Sequence, residues 1–212
     1  MIDSIIFDLD GTLWDATTTV IDCWNEVLTH HDDVTHRFTL EDLQSIMGLT
    51  TPKIAEKLIP YLAPERREAI IDECYKAENI FLAEHGGVLF EGMEEMAEAL
   101  SKKIPLFIVS NCQKGYIESF FMGNGTGHYF TDHACYEDTN LPKGENIKMV
   151  MERNGLKNAI YVGDTMGDKE GAEVAGIPFV YASYGFGEVD GYDYRIDSPM
   201  ELVALAEKLL AG

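Results

Sequence analysis

An apolar run that ends in two carboxylates constrains this chain most. Ile5, Ile6, Phe7 and Leu9 have the pattern of a buried strand, yet Asp8 and Asp10 flank Leu9 and Gly11 follows at once. Asp-Gly pairs often turn hairpins, which would need a second alternating strand directly afterwards. The next residues have helical spacing instead, with Val20, Trp24, Val27 and Leu28 on one face. The strand therefore delivers Asp8 and Asp10 to its carboxyl end, ahead of a loop, where open α/β sheets place ligands. Two anions this close repel each other and lose hydration, so positive charge is expected beside them.

Alternation elsewhere in the chain supports a doubly wound parallel sheet. Residues 17 to 85 read as helix throughout. Within them Thr39 and Asp42 have capping-box spacing, Thr51 caps a helix with Pro52 in its first turn, and Pro64 opens another helix. In that last helix Ile70, Cys74, Ala77 and Phe81 form the expected apolar stripe. After Gly86 and Gly87, short apolar strands alternate with helices: "IPLFIVSN", "HYFTDHACY", "AIYVGD" and "IPFVYAS" read as strands. Met93, Met96, Ala97 and Leu100 define a helix between them. The closing helix is expected to begin with Ser198 as N-cap, Pro199 in the first turn and Glu201 completing the box, with Leu202, Leu205, Ala206 and Leu209 inward. The glycine-rich stretch at 123 to 127 lacks the Lys-Ser/Thr of a phosphate loop and reads as a flexible turn. The simplest organisation is an α/β core, residues 1–14 and 86–212, with an all-helical insertion, residues 15–85. That insertion would lie over the sheet edge carrying Asp8 and Asp10.

Charge narrows the partners. With 16 basic and 37 acidic residues the net charge is −21, which argues against nucleic acid or an anionic membrane surface. No apolar stretch reaches the ~18 residues of a membrane span, and the first residues lack the pattern of a secretory signal. The four cysteines (Cys23, Cys74, Cys112, Cys135) contain no CxxC pair, which speaks against zinc and for reduced thiols in a cytoplasmic protein. A monomer is slightly favoured over an oligomer.

Three further strand ends carry polar residues: Ser110 and Asn111 after "FIV", and Asp164 with Asp168 in "YVGDTMGD"; Lys143 precedes a helix start. Each has a structural alternative. Ser110 could cap a helix, the two acids could sit at a helix N-terminus, and Lys143 could be a solvated lysine. Together and in this order, "DLDGT", "VSN", Lys143 and "GDTMGD" resemble the four motifs of the haloacid dehalogenase superfamily of phosphohydrolases. The trailing "AEVAGIPFVYASYGFG" is similar to phosphoglycolate-phosphatase-like members, and a helical insertion after the first motif resembles that family's small cap.

The resemblance implies a Mg²⁺-dependent phosphatase acting on a small phosphorylated metabolite through an aspartyl-phosphate. Asp8 would be the nucleophile and a metal ligand. Asp10 would be the general acid and base, its carbonyl a second ligand and its pKa raised by neighbouring anions. Asp164 would be a third ligand, and Asp168 would hold the metal's surroundings or Lys143. Ser110, Asn111 and Lys143 would bind phosphoryl oxygens. Asp10 is not needed by a dehalogenase; a phosphomutase or a phosphonate hydrolase stays open. From a different class, a non-catalytic phosphoacceptor module also combines acids, Ser/Thr and Lys on such a sheet, without a cap and with another motif order. In the insertion, Lys53 at the start of the Pro52 helix is the candidate for the leaving-group half of the substrate. His30, His31 and His36 lie near Asp32 and Asp33, which reads better as a polar loop than as a metal site.

Overall fold

A computed structural model describes residues 1–211. In chain order the elements are β1 (Ser4–Phe7), β2 (Trp14–Asp15), α1 (Thr17–Leu28), α2 (Leu40–Gln44), α3 (Thr51–Leu58), α4 (Pro64–His85), β3 (Val88–Leu89) and α5 (Met93–Ser101). They continue with β4 (Leu106–Ser110), α6 (Tyr116–Asn124), β5 (Phe130–Cys135), α7 (Tyr136–Thr139), α8 (Lys143–Asn154), β6 (Ala159–Gly163), α9 (Met166–Ala175), β7 (Phe179–Ala182), β8 (Tyr194–Ile196) and α10 (Glu201–Ala211).

Six strands form one parallel sheet in the order β5-β4-β1-β6-β7-β8. Ile5 pairs with Leu106 on one side and Ile160 on the other, so β1 is central. A strand covered on both faces must be apolar at every position. β1, β4 and β6 are accordingly buried throughout. The chain order jumps at β1, from β4 to β6, and the carboxyl ends of these three strands carry Asp8, Ser110 and Asp164. β8 was not anticipated: its three residues alternate in burial and cover the sheet edge, too short a signal to separate from loop.

The helices α1 to α4 hang from a short antiparallel ribbon in which Trp14 pairs with Leu89 and Asp15 with Val88. They pack on one another and, through α4, on α6 of the core. Gly123 belongs to α6 and not to a flexible turn. A Cβ there would sit 2.0 Å from the Leu82 carbonyl oxygen, so the glycine lets α4 and α6 touch backbone to backbone.

Local expectations met mixed outcomes. Thr39 and Asp42 form a reciprocal capping box. The N-cap of α3 is Thr50, one residue before the expected Thr51; the Thr51 hydroxyl instead donates to Glu137 Oε1 at 2.8 Å, a core contact invisible locally. Ser198 does not cap α10. Residues 198 to 200 form a tight i→i−3 turn, and Glu201 Oε2 accepts the Asp197 N–H at 2.8 Å. The buried stripe of α4 is Ile70, Ile71, Cys74, Tyr75, Glu78 and Leu82, rotated from the expected one because Ala77 and Phe81 are only half-buried. No helix among the described residues is long and apolar enough to cross a membrane.

Candidate active site

Asp8 lies directly after β1 and is 2 % exposed. Its Oδ1 is 2.9 Å from Lys143 Nζ and takes no hydrogen bond of good geometry. Lys143 opens α8, is 5 % exposed, and also donates to Asp168 Oδ1. Burial pulls the Lys143 ammonium down, but Asp168 and Asp8 outweigh it and hold the group charged above its usual range. Burial, joined by repulsion from Asp168, pushes Asp8 up to about 7 against the pull of Lys143.

Asp164 lies directly after β6, fully buried. Its Oδ2 accepts the Phe186 N–H at 2.7 Å, so the loop after β7 reaches over to hold it. Gly11 has φ +79°, and a Cβ there would sit 2.2 Å from Asp164 Oδ2. The glycine of "DLDGT" is thus required by conformation and by this carboxylate. Burial, then Asp168 and Asp8, raises the Asp164 pKa well above the ordinary carboxylate value.

Asp168 has another task. Its Oδ2 accepts from the Thr165 N–H at 2.9 Å and the Thr165 hydroxyl at 2.6 Å, in the capping box that opens α9. Its Oδ1 faces Lys143. Both oxygens are occupied, so Asp168 positions Lys143 and the Asp164 backbone while adding negative charge.

Asp10 is held by two donors on one oxygen: Tyr116 Oη at 2.7 Å and Trp14 Nε1 at 3.0 Å, both on Oδ1. Burial raises its pKa to about 6, and these two hydrogen bonds oppose the rise. Neighbouring anions, the expected cause, contribute less than burial does. Because the Tyr116 hydroxyl stabilises the ionised form, Tyr116→Phe should raise the Asp10 pKa by up to about one unit. A step that uses protonated Asp10 fades as pH rises through that pKa, so the alkaline limb of kcat/KM should move to higher pH in this variant. A limb that stays in place would show that Asp10 does not govern it.

Asp8, Asp10, Ser110 and Asn111 line one pocket together with Trp24, Tyr75, Glu78, Gln113 and Tyr116. The insertion closes this pocket from above. Asn111 Nδ2 donates to the Gly48 carbonyl at 2.9 Å, which ties the end of β4 to the turn before α3. Lys53 is not brought into this pocket. It is exposed and lines a neighbouring groove with Glu145 and Glu170, on the other side of Gly48 and Leu49. Of the residues that open α3, Ile54 lines the pocket, while Lys53 lines the adjoining groove, which also reaches Asn111 and Lys143.

Sequence reading missed Glu78, Gln113, Tyr116 and Trp14. Glu78 left a trace, as a lone acid four residues after Cys74 on an otherwise apolar helix face. Among the described residues, His31 meets Arg66 and Glu73, and His36 meets Asp42. Burial raises the Cys112 thiol well above its ordinary value, which disfavours its reactive thiolate form.

Asp8, Asp164 and Asp168 form the one cluster among the described residues whose oxygens lie within 4.8 Å of one another, as a metal ion would need. Three buried carboxylates face one ammonium there, with an Asp8 oxygen lacking a hydrogen bond. Hard oxygen donors with surplus negative charge fit a divalent cation.

The model of the haloacid dehalogenase-like hydrolases matches residues 5–182. The chain belongs to this family. Relatives include phosphoglycolate phosphatase of Rhodobacter capsulatus, 27 % identical over 88 % of this chain and 86 % of the relative. A pyrophosphatase-type protein, PpaX, of Clostridium perfringens is 24 % identical over 99 % of both chains. Among solved structures, a predicted phosphoglycolate phosphatase from Haemophilus somnus 129pt superposes with a TM-score of 0.85 at 18 % identity, over 97 % of this chain and 98 % of that one. That likeness shows the α/β fold.

Proposed function

We propose that this hydrolase is a phosphatase that cleaves a small phosphate monoester through an acyl-phosphate on Asp8. The observation that carries the proposal is the pairing of a Lys143-bound Asp8 with an Asp10 held near pH 6 in the same pocket. A carboxylate oxygen of Asp8 attacks phosphorus as the bond from phosphorus to the alcohol oxygen breaks. Protonated Asp10 gives its proton to the departing oxygen. Ionised Asp10 then takes a proton from the water that attacks the acyl-phosphate, which releases phosphate and restores Asp8. Lys143 and the Ser110 and Asn111 polar groups bind phosphoryl oxygens and favour the charge that develops on them. Asp8, Asp164 and the Asp10 carbonyl would hold the cation, Mg²⁺ by its preference for such oxygens, and it would screen the anionic nucleophile from the anionic ester.

Two alternatives lose support from particular residues. A lysine-dependent phosphonate hydrolase needs an amine in the pocket, and Lys53 lies outside it. A stable phosphoacceptor module would have no use for Asp10 held by Tyr116 and Trp14 beside Asp8.

The test is phosphate release from a set of small phosphate esters in the presence of Mg²⁺. Activity should vanish on chelation and return with Mg²⁺. Mg²⁺ should also raise the thermal midpoint of the metal-free protein, by a stabilisation of about 2.7 kcal/mol at a hundredfold excess over Kd. Asp164→Asn should lose most of that shift. Turnover that persists after exhaustive chelation, or a midpoint indifferent to Mg²⁺, would contradict the metal assignment.

A further inference from the structure

The pocket roof contains a carboxylate that the phosphoryl chemistry does not use. Glu78 projects from α4 into the pocket and is only 5 % exposed. Its Oε2 accepts from Trp24 Nε1 and from Gln113 Nε2, both at 3.1 Å. Its Oε1 receives no hydrogen bond among the described residues. Gln113 comes from the loop after β4 and Trp24 from α1, so core and insertion both orient this one side chain. Burial, with Asp10, raises the Glu78 pKa to about 8 against these two hydrogen bonds, so a hydroxyl or cationic donor at Oε1 would favour its ionised form and pair with it, whereas an anion beside it would not.

The rest of the lining sharpens the point. Around Glu78 stand Trp24, Tyr75, Tyr116 and the apolar side chains of Ile46, Leu49 and Ile54. No lysine, arginine or histidine lines this pocket. Lys143 is committed to Asp8 and Asp168 on the phosphoryl side. A leaving group with its own carboxylate or second phosphate would therefore enter a largely apolar pocket with no lysine, arginine or histidine to pair with. Unpaired charge in such surroundings is strongly disfavoured.

Resting on the phosphatase reading above, we propose that Glu78 selects esters whose alcohol half carries no negative charge and presents a hydrogen-bond donor, a hydroxyl or an ammonium group. The relatives' names include an ester of an anionic alcohol and an anhydride of phosphate; on this proposal the Glu78 pocket disfavours both as substrates of this chain. A polyol would place an O–H on Oε1. An alkylammonium would do the same and gain from the aromatic faces beside it.

The test compares kcat/KM for glycerol phosphate, phosphoethanolamine, phosphoglycolate and pyrophosphate, with a generic aryl phosphate as reference. Glycerol phosphate or phosphoethanolamine should exceed both anionic substrates by roughly tenfold or more. Glu78→Gln should narrow that ratio, most for phosphoethanolamine, while its near-identical shape keeps the pocket intact. The ordering in the wild-type protein stands as evidence even if the variant does not fold. Phosphoglycolate or pyrophosphate as the best substrate, or a ratio unchanged in a folded Glu78→Gln, overturns the role of Glu78. In that case turnover of the aryl phosphate keeps the phosphatase reading; no turnover of any ester, with Mg²⁺ present, overturns both.

Discussion

Asp8→Asn should reduce turnover by roughly a thousandfold or more while the protein stays folded. An amide in place of the carboxylate cannot form an acyl-phosphate, and nothing else in the pocket is placed to replace it. The fold should tolerate the change, and this separates loss of chemistry from loss of structure. In the metal-free protein Asp8 is pushed up to about 7, chiefly by burial. A carboxyl whose folded pKa is raised contributes stability while protonated, and loses that contribution as pH rises through the folded value. Above pH 7 the native Asp8 is therefore an electrostatic liability beside Asp168, which Asn removes. Without metal, Asp8→Asn should come closest to the wild-type thermal midpoint near the ordinary carboxyl value, at about pH 4, and equal or exceed it at pH 8. A variant that unfolds at both pH values would mean that the Lys143 contact to Asp8 matters more to the fold than the repulsion does.

Lys143→Met should damage both activity and stability. Lys143 is the ammonium between Asp8 and Asp168, all three within a few per cent of full burial. Methionine keeps the length and apolar stem but leaves two buried carboxylates without a counterion. Removing one partner of a buried pair costs about 3–5 kcal/mol. Turnover should fall by at least roughly a hundredfold, since a charge that binds the phosphoryl group and holds the nucleophile is lost. The stability cost should grow with pH, as Asp8 ionises. Adding Asp168→Asn to Lys143→Met removes one uncompensated charge and should restore part of the stability without restoring activity, a coupling that a double-mutant cycle measures. A strictly additive cycle would show that Lys143 acts independently of Asp168.

The strand-end residues of this site were the most legible in the sequence. Asp8, Ser110 and Asp164 follow fully buried strands, and a buried parallel strand reads as an unbroken apolar run whose end is visible. Their need to converge requires β1 between the "FIVSN" and "YVGD" strands, and the sheet has that order. What stayed hidden depends on contacts between distant segments. Tyr116 reaches Asp10 across 106 positions and Glu78 meets Trp24 across 54. No local period encodes such contacts. In the insertion, small rotational errors decided the outcome. Reading the α4 stripe through Ala77 and Phe81 turned Glu78 away from the pocket, and reading the α3 start one residue late gave Thr51 a capping role it does not have. Lys53 illustrates the same limit. Its place in the first turn of α3 was legible, but which side of the Gly48 turn it faces was set by Asn111 and Glu137 of the core.

The central claim is that phosphate passes through Asp8 as a covalent acyl-phosphate, a mixed anhydride with its carboxylate. It is tested most directly by mixing the Mg²⁺-loaded enzyme with excess substrate, quenching in acid within the turnover time, and mapping the peptides by mass. The account predicts a phosphoryl group on the peptide that contains Asp8, formed and lost at rates compatible with turnover, absent in Asp8→Asn, and longer-lived in Asp10→Asn. A wild-type enzyme that releases phosphate steadily with no phosphoryl group on that peptide, together with an Asp8→Asn variant that still turns over, would contradict it.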